Sequence, residues 1–175
     1  MKKLKFLVTL ILALPFFLHA QENKTFTHAD TLRGSVTPER EWWDVMKYDI
    51  SVKPDYNSKT IAASVVISFK ILKNGNRPMQ IDLQDPMIID SVFMNHKSLA
   101  FAKIPDDKNA WFIQTGNHSK GDANITIYYH GKPREAKRPP WDGGWIWTKD
   151  SLGRPWMTVA CQGLGASVWY PCKDY

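Results

Sequence analysis

The sequence contains two cysteines and five histidines, and no two of the histidines stand four apart beside a glutamate. A hydrolytic zinc centre needs three protein ligands and an open water position. No such set can be drawn from these residues, and two cysteines without a neighbouring histidine do not make a structural zinc site. Basic residues are not gathered into a stripe. The nearest cluster, Lys132, Arg134, Lys137 and Arg138, is broken by Pro133 and Glu135 and reads as a solvated loop, so no nucleic-acid partner is expected. There is no internal repeat, no low-complexity run and no capped 3.6-residue period after the first twenty residues. No complete catalytic signature is present, so an enzymatic reading must take its chemistry from outside these 175 residues.

A single long apolar run is present, and it lies at the start. Residues 1–20, MKKLKFLVTLILALPFFLHA, have the basic, apolar, small-residue order of a secretory signal. The run is shorter than the ~20 residues a spanning helix needs, Pro15 interrupts it, and polar residues come next at once. The expectation is a signal helix cleaved after Ala20, an exported protein (periplasmic or extracellular) and no stable membrane anchor afterwards. No cysteine near Ala20 indicates a lipid-modified N-terminus. Lys2, Lys3 and Lys5 belong to this segment, so the remainder keeps about half of the formal charge of +6. In an oxidising compartment Cys161 and Cys172 could pair, closing a loop worth roughly 3 kcal/mol in the chain-entropy model. The alternative is two buried thiols acting as small hydrophobes.

Beyond a polar lead-in over residues 21–40, the chain is strand-like. Residues 45–53 alternate, with Met46, Tyr48, Ile50 and Val52 on one face. Pro54 to Ser58 makes a turn. Ile61, Ala63, Val65, Ile67, Phe69 and Ile71 then alternate for six steps, which is the period of a half-buried strand. Lys73 to Asn76 reads as a hairpin-type turn. Met79, Ile81 and Leu83 form a third strand, closed by Asp85-Pro86. Shorter strands are expected at 87–93, 98–103 and 110–114, and Ala123, Ile125, Ile127 and Tyr129 alternate in another. The fold class is all-β, a mostly antiparallel sandwich or saddle-like sheet.

The last quarter is different. Residues 131–175 hold five prolines and five of the eight tryptophans: Trp141, Trp145, Trp147, Trp156 and Trp169. Asp142-Gly143-Gly144 lets the chain turn sharply, Trp156 to Cys161 reads as a strand, and Gln162 to Ser167 as a small-residue loop. A binding function belongs most naturally in such a loop-rich segment. The tryptophans either pack these loops against the sheet or form an exposed platform for sugars. Asp142, Asp174 and Glu135 do not by their spacing establish a carboxylate pair. The Asn-x-Ser/Thr matches at Asn117 and Asn124 are read as chance.

The run Cys161-Gln162-Gly163-Leu164-Gly165-Ala166-Ser167-Val168-Trp169-Tyr170-Pro171-Cys172-Lys173-Asp174 resembles the end of the N-terminal domain of zinc aminopeptidases of the aminopeptidase N type, a family that includes leukotriene-hydrolase-like enzymes. In that family a strand ends in Glu or Gln, and a loop leads to an aromatic, Pro-Cys and an Asp. The segments 128–133 and 140–147 resemble an exported bacterial branch, and Asp49-Ile50 with Val52 fits the family's opening strand. The resemblance spans roughly residues 40 to 175. It implies that residues 41–175 are a β-domain packed on a thermolysin-like catalytic domain. That domain would carry the zinc and its His-Glu-x-x-His helix, neither of which is here. The resemblance also implies that Gln162 accepts a hydrogen bond from the free α-amine of a peptide substrate, and that Gly163 and Gly165 let the backbone come close to it. This chain would then be part of a longer aminopeptidase, holding no cofactor and inactive alone. The alternative is a free-standing β-sandwich module binding carbohydrate or protein.

Overall fold

Trp43 begins the first strand, and its neighbours show why the chain extends there. Alternating side chains of β1 (Trp43–Asp55) and β2 (Thr60–Ile71) pair antiparallel from Trp43↔Ile71 to Asp55↔Thr60. Asp55 shapes the turn between them: its carboxylate accepts from the backbone N–H of Asn57 (2.9 Å) and Ser58 (3.2 Å). The structure is a computed structural model that describes residues 34–105 and 107–174. The expected signal segment, and the lead-in up to residue 33, lie outside the described residues.

Eight further strands complete the described chain: β3 (Met79–Asp82), β4 (Ile88–Met94), β5 (Lys97–Ser98), β6 (Phe101–Ile104), β7 (Asp107–Ile113), β8 (Gly121–Gly131), β9 (Gly144–Lys149) and β10 (Pro155–Ala160). They form an antiparallel five-stranded sheet β1-β2-β8-β4-β5, a three-stranded sheet β3-β7-β6 and a ribbon of β9 with β10. One 3₁₀ turn, Ala166–Val168, is the described helical element. The sheets share one core. Ile61, Val65, Ile67 and Phe69 of β2 and Ile125, Ile127 and Tyr129 of β8 meet Met79 and Ile81 of β3, Trp111 and Ile113 of β7 and Trp145 of β9. The inward set expected for β2 and β8 faces this core, with Ala63 and Ala123 partly buried.

Three details depart from the expected pattern. A bulge between Val45 and Lys47 makes Met46 the extra residue of β1. An unpaired bulge residue turns the next side chains to the other face. Val45 therefore packs on the core and Met46 is 54% exposed. Val52, further along this edge strand, is also exposed. Lys73 to Asn76 is not a hairpin: β2 has β1 and β8 as neighbours, and the segment crosses to β3 in the other sheet, with Gly75 bridged to His118. A strand at 144–149 stands where a sharp turn and loop were expected, because β10 supplies its partner in register from Gly144↔Ala160 to Lys149↔Pro155.

Candidate functional site

β10 delivers the chain to Cys161, and a turn over residues 162–164 carries Gln162 at its tip. The N–H groups of Leu164 and Gly165 donate to the Cys161 carbonyl (3.3 and 3.0 Å) and close the turn. Gly163 adopts φ +73° and Gly165 φ +77°, conformations that favour glycine. Around Gly163 the space is open. At Gly165 a Cβ would lie 2.2 Å from a carboxylate oxygen of Asp174. Gln162 is exposed, and its carboxamide makes no hydrogen bond to a described residue. The side chain is thus held out on a closed turn rather than folded back on its own loop.

Beneath the turn lies a buried polar layer. The Gln84 backbone N–H donates to the Ser167 carbonyl (2.9 Å), and its side-chain amide donates to the Leu164 carbonyl (2.6 Å) and to Ser167 Oγ (2.8 Å). Ser167 Oγ donates in turn to Asp174 (2.6 Å), whose own N–H donates to Asp82 (3.0 Å). Asp82 is engaged by the fully buried Arg40, whose other terminal nitrogen donates to the Ser35 carbonyl (2.8 Å). Asp82 and Cys172 also exchange backbone bonds (2.8 and 3.0 Å). Lys173 closes the far side: its N–H donates to the Tyr48 hydroxyl (2.9 Å), and its ammonium lies 4.6 Å from the centre of the Trp43 ring.

The second loop, 134–144, leans on the first. A Cβ at Gly143 would touch the Leu164 side chain at 3.0 Å. Arg134 donates to Asp142 (2.7 Å) and to the Gly143 carbonyl, and Asp142 also accepts from the Lys137 N–H (2.7 Å). That backbone bond holds the Asp142 carboxyl below the usual range, with Arg134 helping. Glu135 pairs with Lys59 at 2.7 Å. Asp142, Glu135 and Asp174 are therefore each engaged by a separate partner and do not face one another as a catalytic pair.

Cys161 is half-buried and Cys172 is buried, and both are free thiols in this structure. Burial pushes both thiols up, that of Cys172 well above its ordinary value. A raised thiol favours its protonated form, and the thiolate is the nucleophilic one. Of the tryptophans, Trp145 is buried and stacks on Trp147 (4.9 Å between ring centres), with Trp169 edge-on to Trp145. Trp141 and Trp156 are 77% and 58% exposed. The stacked pair therefore belongs to the core side and does not present a sugar platform. Among the described residues no group of three His, Cys, Asp or Glu could hold a metal ion.

Sequence reasoning singled out Gln162, Gly163 and Gly165, and the structure places them on one turn. It missed Gln84, Ser167 and Arg40 as the supports of that turn. The nearest signal was the proximity of Gln84 to Asp85-Pro86, which read only as a strand end.

No family model matches the chain, and no curated protein matches it. Solved structures do. Yeast leukotriene A4 hydrolase superposes with a TM-score of 0.60 at 14% identity, over 77% of this chain and 21% of that one. Its complex with bestatin superposes with a TM-score of 0.60 at 12% identity, over 87% and 23%. An M1 zinc metallopeptidase from Deinococcus radiodurans, in a mutant form bound to a Tyr-Ser-Ala substrate, superposes with a TM-score of 0.55 at 13% identity, over 78% and 30%. The chain therefore shares its fold with one part of leukotriene A4 hydrolase and of M1 zinc metallopeptidases, and it spans between about a fifth and a third of their length.

Proposed function

We propose that this chain is the N-terminal β-domain of an exported zinc aminopeptidase. In this reading it supports a thermolysin-like catalytic domain that carries the zinc, and it presents Gln162 to the free N-terminus of a peptide substrate. The shared fold supports the kind of protein, and the geometry of the 162–165 turn supports the role. The observation that carries the role is the exposed Gln162 carboxamide, unbonded on a turn that is itself closed by backbone bonds.

An α-ammonium is a donor with no acceptor capacity, and a carboxamide oxygen is an acceptor that stays neutral. The bond between them is charge-assisted from one side and is shorter and stronger than a neutral pair. Its position measures one residue from the N-terminus to the scissile bond, provided the acceptor is held still relative to the zinc-bound water. The open space around Gly163 leaves room for the substrate backbone. Gly165 serves the same turn from below, where Asp174 occupies the space a side chain would need. The rest of the ammonium's charge would be met by a carboxylate of the catalytic domain.

The test is Gln162→Ala in the protein that joins this chain to its catalytic domain. One charge-assisted hydrogen bond contributes about 1.5–3 kcal/mol. The Michaelis constant for a peptide with a free α-amine should therefore rise about tenfold or more, while that for the same peptide lacking the amine stays unchanged. Equal changes for the two peptides would remove the amine-recognition role.

A further inference from the structure

We infer that Gln84, Ser167 and Asp174 are positioning residues for Gln162, a buried relay that fixes the height and direction of the turn carrying it. The inference rests on the reading of Gln162 as the acceptor for the substrate amine, and it assigns that site the groups that make its geometry reproducible.

β10 cannot hold the turn by itself. It belongs to a two-stranded ribbon, and none of its six residues is fully buried. The relay ties the turn instead to the three-stranded sheet. Gln84 lies just beyond β3. On either side of it, the Leu83 N–H donates to the Asn109 carbonyl (2.9 Å) and the Asp85 N–H donates to the Asn109 side chain (3.1 Å). Asn109 belongs to β7, and Leu83 is in the core. Gln84 therefore starts from a rigid frame, and it bonds carbonyls on both sides of Gly165, at Leu164 and Ser167.

The direction of each bond is determined. The Gln84 amide nitrogen can only donate. Ser167 Oγ accepts from it, which leaves the hydroxyl proton free to point at Asp174. Asp174 then sits against Gly165, where a Cβ would lie 2.2 Å from its carboxylate oxygen. Gln84 is 8% exposed and Ser167 1%. A buried polar group left without its partner is costly, whereas the same bond in water would contribute little. The relay thus holds Leu164, Gly165 and Ser167 to a narrow set of positions while leaving Gln162 itself to the substrate. A misplacement of about 1 Å at such a contact can cost on the order of a hundredfold in rate.

The experiment compares Ser167→Ala, Gln84→Met and Gln162→Ala in the protein with its catalytic domain. The reading is the ratio of kcat/KM for a peptide with a free α-amine to that for the same peptide without it. Ser167→Ala and Gln84→Met should each lower this ratio about tenfold, mainly through KM. Combining either with Gln162→Ala should lower it no further than Gln162→Ala does alone, because coupled residues act as a unit. A ratio that falls with Gln162→Ala but not with the other two overturns the relay and leaves the role of Gln162 standing. Full additivity in the double variants also overturns the relay, since it would mark a general loss of structure. A ratio unmoved by Gln162→Ala removes both. If Ser167→Ala does not fold, Gln84→Met is read by the same ratio. Hydrogen exchange at the Leu164 and Gly165 amides gives a second measurement. It should quicken about tenfold in a folded relay variant while β2 amides are unmoved, and unchanged exchange would overturn the relay.

Discussion

Arg40 ends a polar stretch, yet its side chain is fully buried against Asp82, forty-two positions away in sequence. Removing one member of a buried pair leaves an uncompensated charge, at a cost of about 3–5 kcal/mol. Arg40→Ala should lower the unfolding free energy by that amount, measured by urea titration of the chain. Arg40→Met with Asp82→Leu should recover part of it, held short of full recovery because the N–H of Asp174 and the Ser35 carbonyl also lose partners. A double variant no better than Arg40→Ala would show that the charge is not what matters. Nothing in the local pattern around Arg40 or Asp82 links them, since a pairing this distant is made by the sheets that bring the two together. Gln162 was singled out through the family resemblance of the run from Cys161 to Asp174, whereas the small-residue turn that carries it is a local feature of that run.

Among the elements, β2 and β8 were the most legible because each has one buried face over its whole length. Their side chains then alternate without interruption, as from Ile61 to Ile71. The bulged strands β1 and β4 were less so. In β4 a register shift between Ile89 and Ser91 puts Ile89 and Val92 both on the core, a spacing that no period of two produces. β9 was missed because its reason is a backbone approach rather than a pattern. Trp145 donates to the Arg134 carbonyl (2.7 Å) and accepts from the Ala136 N–H (2.9 Å). Gly144 (φ +144°) makes room for this: a Cβ there would lie 2.5 Å from the Arg134 oxygen and 2.6 Å from the Ala136 nitrogen. Gly144→Ala should therefore cost about 3 kcal/mol through overpacking and backbone strain. Gly153→Ala, at φ +77° with open space around it, should cost only about 1 kcal/mol. Thermal unfolding of the two variants checks the contrast, and equal losses would show that the close approach carries no weight.

At the scale of the whole molecule, the three sheets close over groups that stay protonated when buried. Burial pushes Tyr170 up to about 12 and raises Tyr48, Tyr129 and, strongly, the Cys172 thiol. In the unfolded chain a thiol ionises near about 8.5 and a tyrosine near about 10. Above those values the unfolded chain binds fewer protons than the folded one, so stability falls as pH rises. The contribution is complete below about pH 8.5 and is progressively lost as the pH climbs towards the folded values. The urea midpoint should fall steadily between about pH 8 and 11; a constant midpoint would contradict this. The sequence by itself determined the all-β class, the inward faces of β2 and β8 and the turn that carries Gln162, because period-two alternation and turn chemistry act between near neighbours. Only the tertiary structure decided the crossing of residues 73–76 between sheets, the bulges at Met46 and Asp90, and the buried relay beneath Gln162. Those depend on which distant segments share a core, and that is settled by packing the sheets together rather than by any one stretch of chain.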